Sequence, residues 1–300
     1  MQLTLHRSAA PYPPERQRPR VGFFTDTSIC IGCKACEVAC KEWNNVPADD
    51  CGFSGDSYDN TLALGADTWR HVAFIEQRRP LGLREEPGTS LVQEAAAGQL
   101  GADGELPVHE DAGFRWLMSS DVCKHCTEAA CLEVCPTGSL FRTEFGTVVV
   151  QEDVCNGCGY CIPACPFGVI DQRKDDGRAW KCTLCYDRLR DDMEPACAQA
   201  CPTKSIQFGE LEELRARAER RVEQLRGAGE PGAQLYGADP QNGVGGTGAF
   251  FLLLDEPETY GLPPDPVDTT RDLTEIWQTA ALAGAMLVAG SVLALIGSRR

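Results

Sequence analysis

The C-terminal part of the chain carries a long apolar run, because Gln278 to Gly297 are twenty residues without a charge. A helix of this length would span ~30 Å, which is the hydrocarbon thickness of a bilayer. Trp277 would lie at the membrane interface, and a row of small residues would let another membrane helix approach closely. That row consists of Ala281, Ala285, Ala289, Gly290 and Ala294. The pattern favours a membrane anchor over residues 272–300 rather than a buried core helix.

Shorter patterns before this run predict small strands and helices, and therefore an α+β fold class. Alternating or compact apolar positions bounded by turn residues predict strands in the segments TWRHVAFIEQ, FRWLMSSD, SLFRTEFGTVVV, GVIDQRKDDGRAWKC and KSIQFGE. The third and fourth of these segments contain Gly turns, such as Asp176–Gly177, that predict hairpins. Helices are expected over Lys34–Trp43, Ala129–Val134, Gly159–Ala164 and, from the spacing of Glu and Arg, 210–225.

Sixteen of the seventeen cysteines fall into four sets of four, and Cys51 stands apart. Each set opens with a C-x-x-C step and closes with a C-x-x-x-C step, so the sets form an internal repeat. The four sets are Cys30, Cys33, Cys36 and Cys40; Cys123, Cys126, Cys131 and Cys135; Cys155, Cys158, Cys161 and Cys165; and Cys182, Cys185, Cys197 and Cys201.

Disulfides, structural zinc and iron–sulfur clusters are the three kinds of site that such sets can form. Disulfide frameworks are typical of small secreted domains, whereas this chain has 300 residues, is 43% hydrophobic and shows no signal-peptide pattern. Zinc suits only the fourth set, in which two steps are separated by a longer gap. The run CNGCGYCIPACP matches the bacterial ferredoxin pattern, in which three thiolates bind one cluster and the fourth binds another. Sixteen thiolates at four per cluster predict four [4Fe–4S] clusters, with Cys51 as an ordinary buried or loop thiol.

Residues beside the sets would shape these sites. Pro136, Pro166 and Pro202 each follow the last cysteine of a set, where a fixed φ ends the preceding turn. Four cationic or titratable side chains also lie within or next to the sets: Lys34, Lys124, His125 and Lys181. They could raise cluster potentials, but because charged residues are mostly exposed, we expect solvated surface charges.

Charge and composition exclude further functions. A net charge of −16 and a pI near 4.7, with no basic stripe, argue against nucleic acid as a partner. The apolar run contains no His, so it cannot bind haem through His. The loop GVGGTG lacks the Lys of a phosphate-binding loop, so we interpret it as a backbone-packing loop. Arg299 and Arg300 after the run, against Asp272 and Glu275 before it, favour a cytoplasmic C-terminus and an extracytoplasmic body, although a cytoplasmic body stays open.

Taken in order, these motifs resemble the iron–sulfur (beta) subunit of membrane-bound respiratory formate dehydrogenase. The resemblance covers about residues 21–298 and rests on CIGCKACEVACKEWN, CKHCTEAACLEVCPTGSL, CNGCGYCIPACPFGVI and KCTLCYDRLRDDMEPACAQACPTKSI. The ligand sets alone fit any four-cluster subunit of a molybdopterin oxidoreductase. The GVGGTG and YGLPPDP segments before a single terminal helix are the specific part of the resemblance.

The resemblance implies duplicated ferredoxin-like dicluster units with inserted loops and a nested ligand arrangement, which the similar linker lengths leave open. Cluster one would take Cys30, Cys33, Cys36 and Cys201; cluster two Cys40, Cys182, Cys185 and Cys197; cluster three Cys123, Cys126, Cys131 and Cys165; and cluster four Cys135, Cys155, Cys158 and Cys161. The expected parts are a flexible arm over 1–20, a four-cluster domain over 21–209, a packing region over 210–271 and the anchor over 272–300. A β-rich insertion with a mobile loop is expected over 52–118.

The implied function is electron conduction without catalysis by this chain. A molybdopterin catalytic subunit would oxidise formate, and the electrons would pass the four clusters to a membrane subunit that reduces quinone. The chain stops just past a helix without His, whereas relatives continue into a cytoplasmic tail, so the membrane partner stays open between a cytochrome b and a haem-free quinone-reactive subunit. The alternatives are an equivalent subunit of a polysulfide, nitrate or sulfoxide oxidoreductase or of a hydrogenase, and a zinc-stabilised interaction module.

Overall fold

The computed structural model describes residues 18–48, 58–59, 61–77 and 115–297. The strands are β1 (Val21–Asp26), β2 (Arg70–Gln77), β3 (Arg115–Val122), β4 (Leu140–Arg142), β5 (Val148–Val150), β6 (Asp171–Gln172), β7 (Ala179–Trp180), β8 (Ile206–Glu210), β9 (Gln234–Tyr236) and β10 (Ala249–Leu253). The α-helices are α1 (Ala35–Asn44), α2 (Ala130–Glu133), α3 (Cys161–Ala164), α4 (Tyr186–Arg190), α5 (Ala196–Gln199), α6 (Leu211–Gly227) and α7 (Leu273–Gly297). The predicted N-terminal arm up to residue 17, the predicted mobile loop over 78–114 and Cys51 lie outside the described residues.

A four-stranded sheet joins distant parts of the chain in the order β8–β1–β10–β9. β1 pairs in parallel with β10 and antiparallel with β8, so the chain between 27 and 205 is closed into one loop by this sheet. The sequence patterns did not predict strands β1 and β9, nor the short helices α4 and α5. Each is too short, or too close to a cysteine set, to show a periodic pattern of its own.

The two faces of this sheet contact different parts of the protein, because successive strand residues point to opposite sides. Phe24 is fully buried and stacks on Phe250 with ring centroids 5.4 Å apart, on the side covered by α6. Phe23 and Ala249 are buried on the other side, in the cluster that contains cysteines of the first and fourth sets. The sheet therefore separates α6 from the cysteine-rich part of the fold.

Helix α6 confirms the helix predicted from Glu and Arg spacing. Its buried residues recur at helical spacing and form one apolar stripe against the sheet: Leu211, Leu214, Ala218 and Val222. Most of the charged residues lie around the rest of the helix and are exposed, whereas Arg221 forms an ion pair with the buried Asp26 at 3.0 Å.

Three antiparallel hairpins confirm the strands predicted in the first four segments, and β8 of the four-stranded sheet confirms the fifth. β2 and β3 pair over eight residues each, from Arg70 opposite Val122 to Gln77 opposite Arg115. The short pairs β4–β5 and β6–β7 lie between consecutive cysteine sets, and Gly177 turns the second of them with a φ of 68°. The hairpins therefore fix the distance between one cysteine set and the next.

Helix α7 extends away from the rest of the fold. Within the described residues it is the one helix long and apolar enough to cross a membrane by length and composition. Large apolar side chains along it are exposed, such as Trp277, Leu287 and Leu293. An apolar helix without protein around it fits a single-pass membrane anchor.

The close approach of β1 to Gly248 generates a prediction for Gly22→Ala. The added Cβ would lie 2.0 Å from the carbonyl oxygen of Gly248, which already accepts the Phe23 N–H at 2.8 Å. This backbone cannot move without loss of a sheet hydrogen bond, so we expect the free energy of unfolding to fall by about 1–3 kcal/mol. The anaerobic thermal midpoint should fall by several degrees.

The matched control is Gly209→Ala on the neighbouring strand, because Gly209 is the register partner of Gly22. Its added Cβ would make ordinary contacts with Leu214 at 3.8 and 3.9 Å. We expect a midpoint at or above that of the unmodified protein, since Ala restricts the unfolded chain more than Gly does. Equal midpoints for the two variants would contradict the close approach.

Candidate functional site

The first cysteine group lies at one end of the sheet. Cys30, Cys33, Cys36 and Cys201 line one cavity of about 290 Å³, a volume that includes its opening to solvent. The first three come from the turn before α1 and from α1 itself, whereas Cys201 follows α5. The register explains this meeting, because Thr25 near the end of β1 pairs with Ile206 at the start of β8. The residues just after β1 and just before β8 are thereby held at the same end of the sheet.

The second group contains the remaining cysteine of the first set. Burial raises the pKa of Cys40 well above its usual value, and the nearby thiols of Cys182, Cys197 and Cys185 raise it further. The side-chain amide of Asn44 lies 3.7 Å from both the Cys40 and the Cys185 sulfur. One amide therefore contacts two sulfurs whose cysteines are 145 residues apart in the sequence. The packing of α1 on α5 likewise brings Cys40 close to Cys197.

The third and fourth groups combine the second and third sets. Cys123, Cys126, Cys131 and Cys165 line a cavity of about 440 Å³, and Cys135, Cys155, Cys158 and Cys161 line another of about 260 Å³. Both volumes include the openings of the cavities. The hairpin β4–β5 explains the fourth group, because Leu140 and Val150 pair directly and lie just after Cys135 and just before Cys155.

The structure thus brings together three cysteines of one set with one cysteine of another set in every group. This grouping has the nested form that the family resemblance implies. A set-by-set grouping does not describe it, because the last cysteine of each set lies with a different set.

The four groups lie in a row. Burial raises the pKa of Cys182 well above its usual value, and the thiol of Cys123 in group three raises it further. Burial also raises the pKa of Cys36 to about 11 and that of Cys131 to about 12, with added contributions from Cys197 of group two and Cys161 of group four. Groups one and two, two and three, and three and four are therefore close enough for their charges to interact.

Backbone conformations at the groups are unusual for the residues that adopt them. Lys34, His125, Leu184 and Cys185 have positive φ angles between 45° and 58°, a region that non-glycine residues rarely occupy. Gly32 has a φ of 63°, and a Cβ there would lie 2.6 Å from the ring of Phe74. These tight curls turn consecutive cysteines toward one cavity, and such strain is typical of functional sites.

The expectation of solvated cations beside the sets is wrong for three of the four residues. Lys124, His125 and Lys181 are buried, with exposed fractions of 1%, 1% and 2%, whereas the Lys34 side chain is about a quarter exposed. The Lys124 ammonium is paired with the Asp121 carboxylate and lies 5.1 Å from the ring centroid of Phe251. Buried charges require partners of opposite charge. Burial lowers the pKa of Lys181, but the nearby thiols of Cys123, Cys131 and Cys182 raise it by more, so the net direction is upward.

Sequence reasoning missed Arg70, which lies on β2 and is 1% exposed. One guanidinium nitrogen lies 3.3 Å from the Cys197 sulfur, and the other donates to the Ser120 carbonyl oxygen at 3.1 Å. Burial lowers the pKa of Arg70, but the thiols of Cys197 and Cys36 raise it by more, so the net direction is upward. The available signal was alternation, because Arg70 shares its side of the strand with the buried Val72.

The residues around group three fit an acceptor that fills the cavity. The Nδ1 atom of His125 accepts the Val148 N–H at 3.1 Å, so the proton lies on Nε2. Burial lowers the pKa of His125 well below its usual value, which keeps the ring neutral. Its buried Nε2 has no hydrogen-bond partner among the described residues, and His125 lines the cavity. A buried donor of this kind requires an acceptor, and cluster sulfides accept such hydrogen bonds.

The cysteine groups also differ from a site for one ion. Within the ranges that the structure describes, no three His, Cys, Asp or Glu side chains are close enough to hold a single metal ion. A zinc ion needs its thiolates about 2.3 Å from one point. Iron–sulfur clusters are also held by four thiolates, but around a larger inorganic group. The cavities match the second arrangement.

The Gly-rich loop packs against the second set, as predicted for a backbone-packing loop. The carbonyl oxygens of Val244 and Gly246 accept the N–H groups of Glu128 and Thr127 at 2.9 and 3.0 Å. Gly246 has a φ of 78°, which favours glycine at this contact.

A mixed helix and strand fold with cysteines at ferredoxin spacing defines a ferredoxin-type iron–sulfur protein. The family model of the 4Fe-4S dicluster domain matches residues 114–211. The formate dehydrogenase iron-sulfur subunit of Haemophilus influenzae is 39% identical over 287 residues, which cover 92% of this chain and 81% of that protein. The nitrate-inducible formate dehydrogenase iron-sulfur subunit of Escherichia coli is 38% identical over 287 residues, or 92% of this chain and 85% of its own length. This chain belongs to the family of formate dehydrogenase iron–sulfur subunits.

A third relative belongs to a different oxidoreductase. It is a subunit of the anaerobic dimethyl sulfoxide reductase of Escherichia coli and is 34% identical over 194 residues, which cover 65% of this chain and 75% of that protein. The similarity to the formate dehydrogenase subunits extends over more of the chain.

The nested grouping generates a prediction for two pairs of cysteine substitutions. Cys40→Ala with Cys182→Ala removes two members of one group, so we expect the loss of about four of about sixteen irons. Cys30→Ala with Cys40→Ala removes members of two groups, so we expect the loss of about eight irons. Iron and acid-labile sulfide per chain, measured after anaerobic purification, distinguish these results.

Each double variant serves as the control for the other, because both remove two cysteines. A set-by-set arrangement gives the reverse pattern, with about eight irons lost from the first variant and about four from the second. That reversed pattern would contradict the nested arrangement.

Proposed function

We propose that this chain is the electron-transfer subunit of a membrane-bound respiratory formate dehydrogenase and holds four [4Fe–4S] clusters in two ferredoxin-like dicluster units. The nested grouping of sixteen cysteines in one row carries the proposal. Cysteine thiolates bind such clusters, and shared sets keep neighbouring clusters close enough for electrons to pass between them. The clusters supply one-electron carriers, and this chain positions them without bond chemistry of its own.

The proposed ligands follow the four groups of the structure. Cluster one is held by Cys30, Cys33, Cys36 and Cys201; cluster two by Cys40, Cys182, Cys185 and Cys197; cluster three by Cys123, Cys126, Cys131 and Cys165; and cluster four by Cys135, Cys155, Cys158 and Cys161.

The two ends of the row have different surroundings. Cys33 in group one and Cys158 in group four are exposed, so the row is open to partners at both ends. Thr269, shortly before α7, donates to the carbonyl oxygen of Ala164 between Cys161 and Cys165 at 3.0 Å. The membrane helix is therefore attached beside groups three and four. This attachment supports a membrane partner at cluster four and a catalytic partner at cluster one.

The direction of electron flow from cluster one to cluster four determines which protein subunit lies at each end. A molybdopterin catalytic subunit delivers the electrons from formate at the first end, and a quinone-reactive membrane subunit of the cytochrome b or haem-free type accepts them at the second. The small residues of α7, including Ala283, Gly290 and Ala294, border an open face on which a partner helix can pack. Asp272 and Glu275 before the apolar run, and the two arginines after it, support an extracytoplasmic body with the C-terminus in the cytoplasm.

Metal content and reduction by formate test this function. In the complex purified anaerobically from membranes, we expect about sixteen irons and as many sulfides per chain. Addition of formate should bleach the visible absorption of the clusters and produce electron paramagnetic resonance signals of reduced clusters.

Two outcomes would contradict the proposal in different ways. About one zinc per cysteine set with negligible iron would remove the electron-transfer role. Full iron content with no reduction by formate, but with reduction by another donor such as hydrogen, would assign the chain to another oxidoreductase. A complex from which the catalytic subunit has been removed is the control for non-specific reduction.

The exposed apolar helix generates a prediction for a chain that ends after Arg271. Expressed without other subunits, this truncated chain should move from the membrane pellet to the soluble fraction, because it lacks the apolar span Leu273–Ile296. Its iron content should match that of the full chain, which shows that the cluster domain folds. An iron-loaded truncated chain that still sediments with membranes would contradict the anchor.

A further inference from the structure

We propose that Arg70 and Lys181 are fixed positive charges placed between consecutive clusters, where each stabilises the reduced forms of the two clusters beside it. This inference rests on the proposed function, because it assigns the two residues a role toward the clusters. Neither residue belongs to a cysteine set, and they come from different elements of the fold.

Arg70 lies between groups one and two. Its Nη2 atom is 3.3 Å from the sulfur of Cys197 in group two. Its Nη1 atom is 3.3 Å from the Ser120 hydroxyl, which in turn is 3.3 Å from the sulfur of Cys36 in group one. The guanidinium also lies over the Phe23 ring at 4.8 Å, which holds it in this place. One cation therefore contacts ligands of two groups, directly on one side and through one hydroxyl on the other.

Lys181 lies between groups two and three. It precedes Cys182 of group two, and its ammonium donates to the carbonyl oxygen of that residue at 2.9 Å. Lys181 also lines the cavity that is bordered by the four sulfurs of group three. A second bond to the Val148 carbonyl oxygen fixes the ammonium in this position.

Among the described residues, no carboxylate compensates the positive charge of Arg70 or of Lys181. Both side chains are 2% exposed or less, and in the described residues neither forms an ion pair with a carboxylate. Lys124 differs, because Asp121 neutralises it. An unpaired buried cation is strongly unfavourable unless a negative group lies nearby. The thiolate-bound clusters supply this negative charge.

The effect on electron transfer follows from charge balance. Reduction adds one electron from the neighbouring carrier to a cluster, breaks no bond and requires no proton. The cluster and its thiolates become more negative by one charge. In a poorly hydrated interior a nearby fixed cation favours that change more than it would in water, so it raises the reduction potential. Cluster two, which lies beside both cations, receives both contributions.

The test is a redox titration of each cluster, followed by electron paramagnetic resonance, in the assembled complex. Double cysteine variants within each of the four groups, made as for Cys40 and Cys182, assign the signals to individual clusters. In Arg70→Gln the ratio of reduced to oxidised form of clusters one and two at a fixed potential should fall about tenfold, which is a shift of ~59 mV for each one-electron cluster. In Lys181→Gln the same change should affect clusters two and three. Cluster four should stay unchanged in both.

Three matched variants separate charge from packing. Arg70→Lys and Lys181→Arg keep the charge, so the ratio of reduced to oxidised form of each cluster should stay within about twofold of that in the unmodified protein, which is ~18 mV at 59 mV per tenfold. Arg217→Gln removes an exposed cation of α6, which donates to Gln207, and should shift no cluster. Unchanged potentials in fully loaded Gln variants, or an equal shift of all four clusters, would overturn the proposal.

Loss of clusters is also decisive. If Arg70→Gln fails to load while Arg70→Lys loads fully, the positive charge is needed by the clusters, which supports the proposal. If both fail to load, Arg70 is a packing residue and the proposal fails at that junction. Iron and sulfide in the unmodified complex are measured first, so a failure of the proposed function is recognised before any variant is compared.

Discussion

Negative charge in a poorly hydrated interior is the constraint on which the rest of this structure depends. Nine of the sixteen cysteines of the sets have a thiol pKa that burial raises, so the thiolate form needed for iron binding is disfavoured by the fold itself. Cys135 differs, because hydrogen bonds from Ser139 and the Leu140 N–H outweigh its partial burial and lower its pKa to about 7. Bound iron and buried cations offset the unfavourable burial elsewhere. The buried cations and the cysteines are therefore one electrostatic unit.

Strand pairing decides which cysteines share a cavity. The hairpin β4–β5 sets the distance between the second and third sets, and the hairpin β6–β7 does the same for the third and fourth sets. The antiparallel pair β1–β8 then closes the row by placing the first set beside the end of the fourth. A cavity for the first group exists only when this long-range pair forms. The sheet is thus part of the site, although it contributes no cysteine.

The sequence predicts the parts of this arrangement that are local. The hairpins, helix α6 and the apolar helix α7 have clear patterns, and the neighbourhood of Cys135 and Cys155 follows from one predicted hairpin. The meeting of Cys30 with Cys201 does not follow, because β1 pairs across about 180 residues and its short segment VGFFTD has no periodic signal of its own. The burial of Lys124 and Lys181 was also missed. Residue type alone predicts exposure for lysine, and only the charge of the surrounding groups reverses that rule.

The hairpin β2–β3 is part of the site, because its backbone and side chains contact the first cysteine group. The N–H of Val72 on β2 donates to the Glu37 carboxylate of α1, and Ser120 on β3 reaches the Cys36 sulfur. The Phe74 ring of the same hairpin occupies the space in which a Cβ at position 32 would lie, so this position favours glycine. The hairpin therefore covers part of the first group and carries the buried Arg70 to the junction with the second group. Charge interactions are stronger in a poorly hydrated interior than in water, so the hairpin acts on both the shape and the electrostatics of the row.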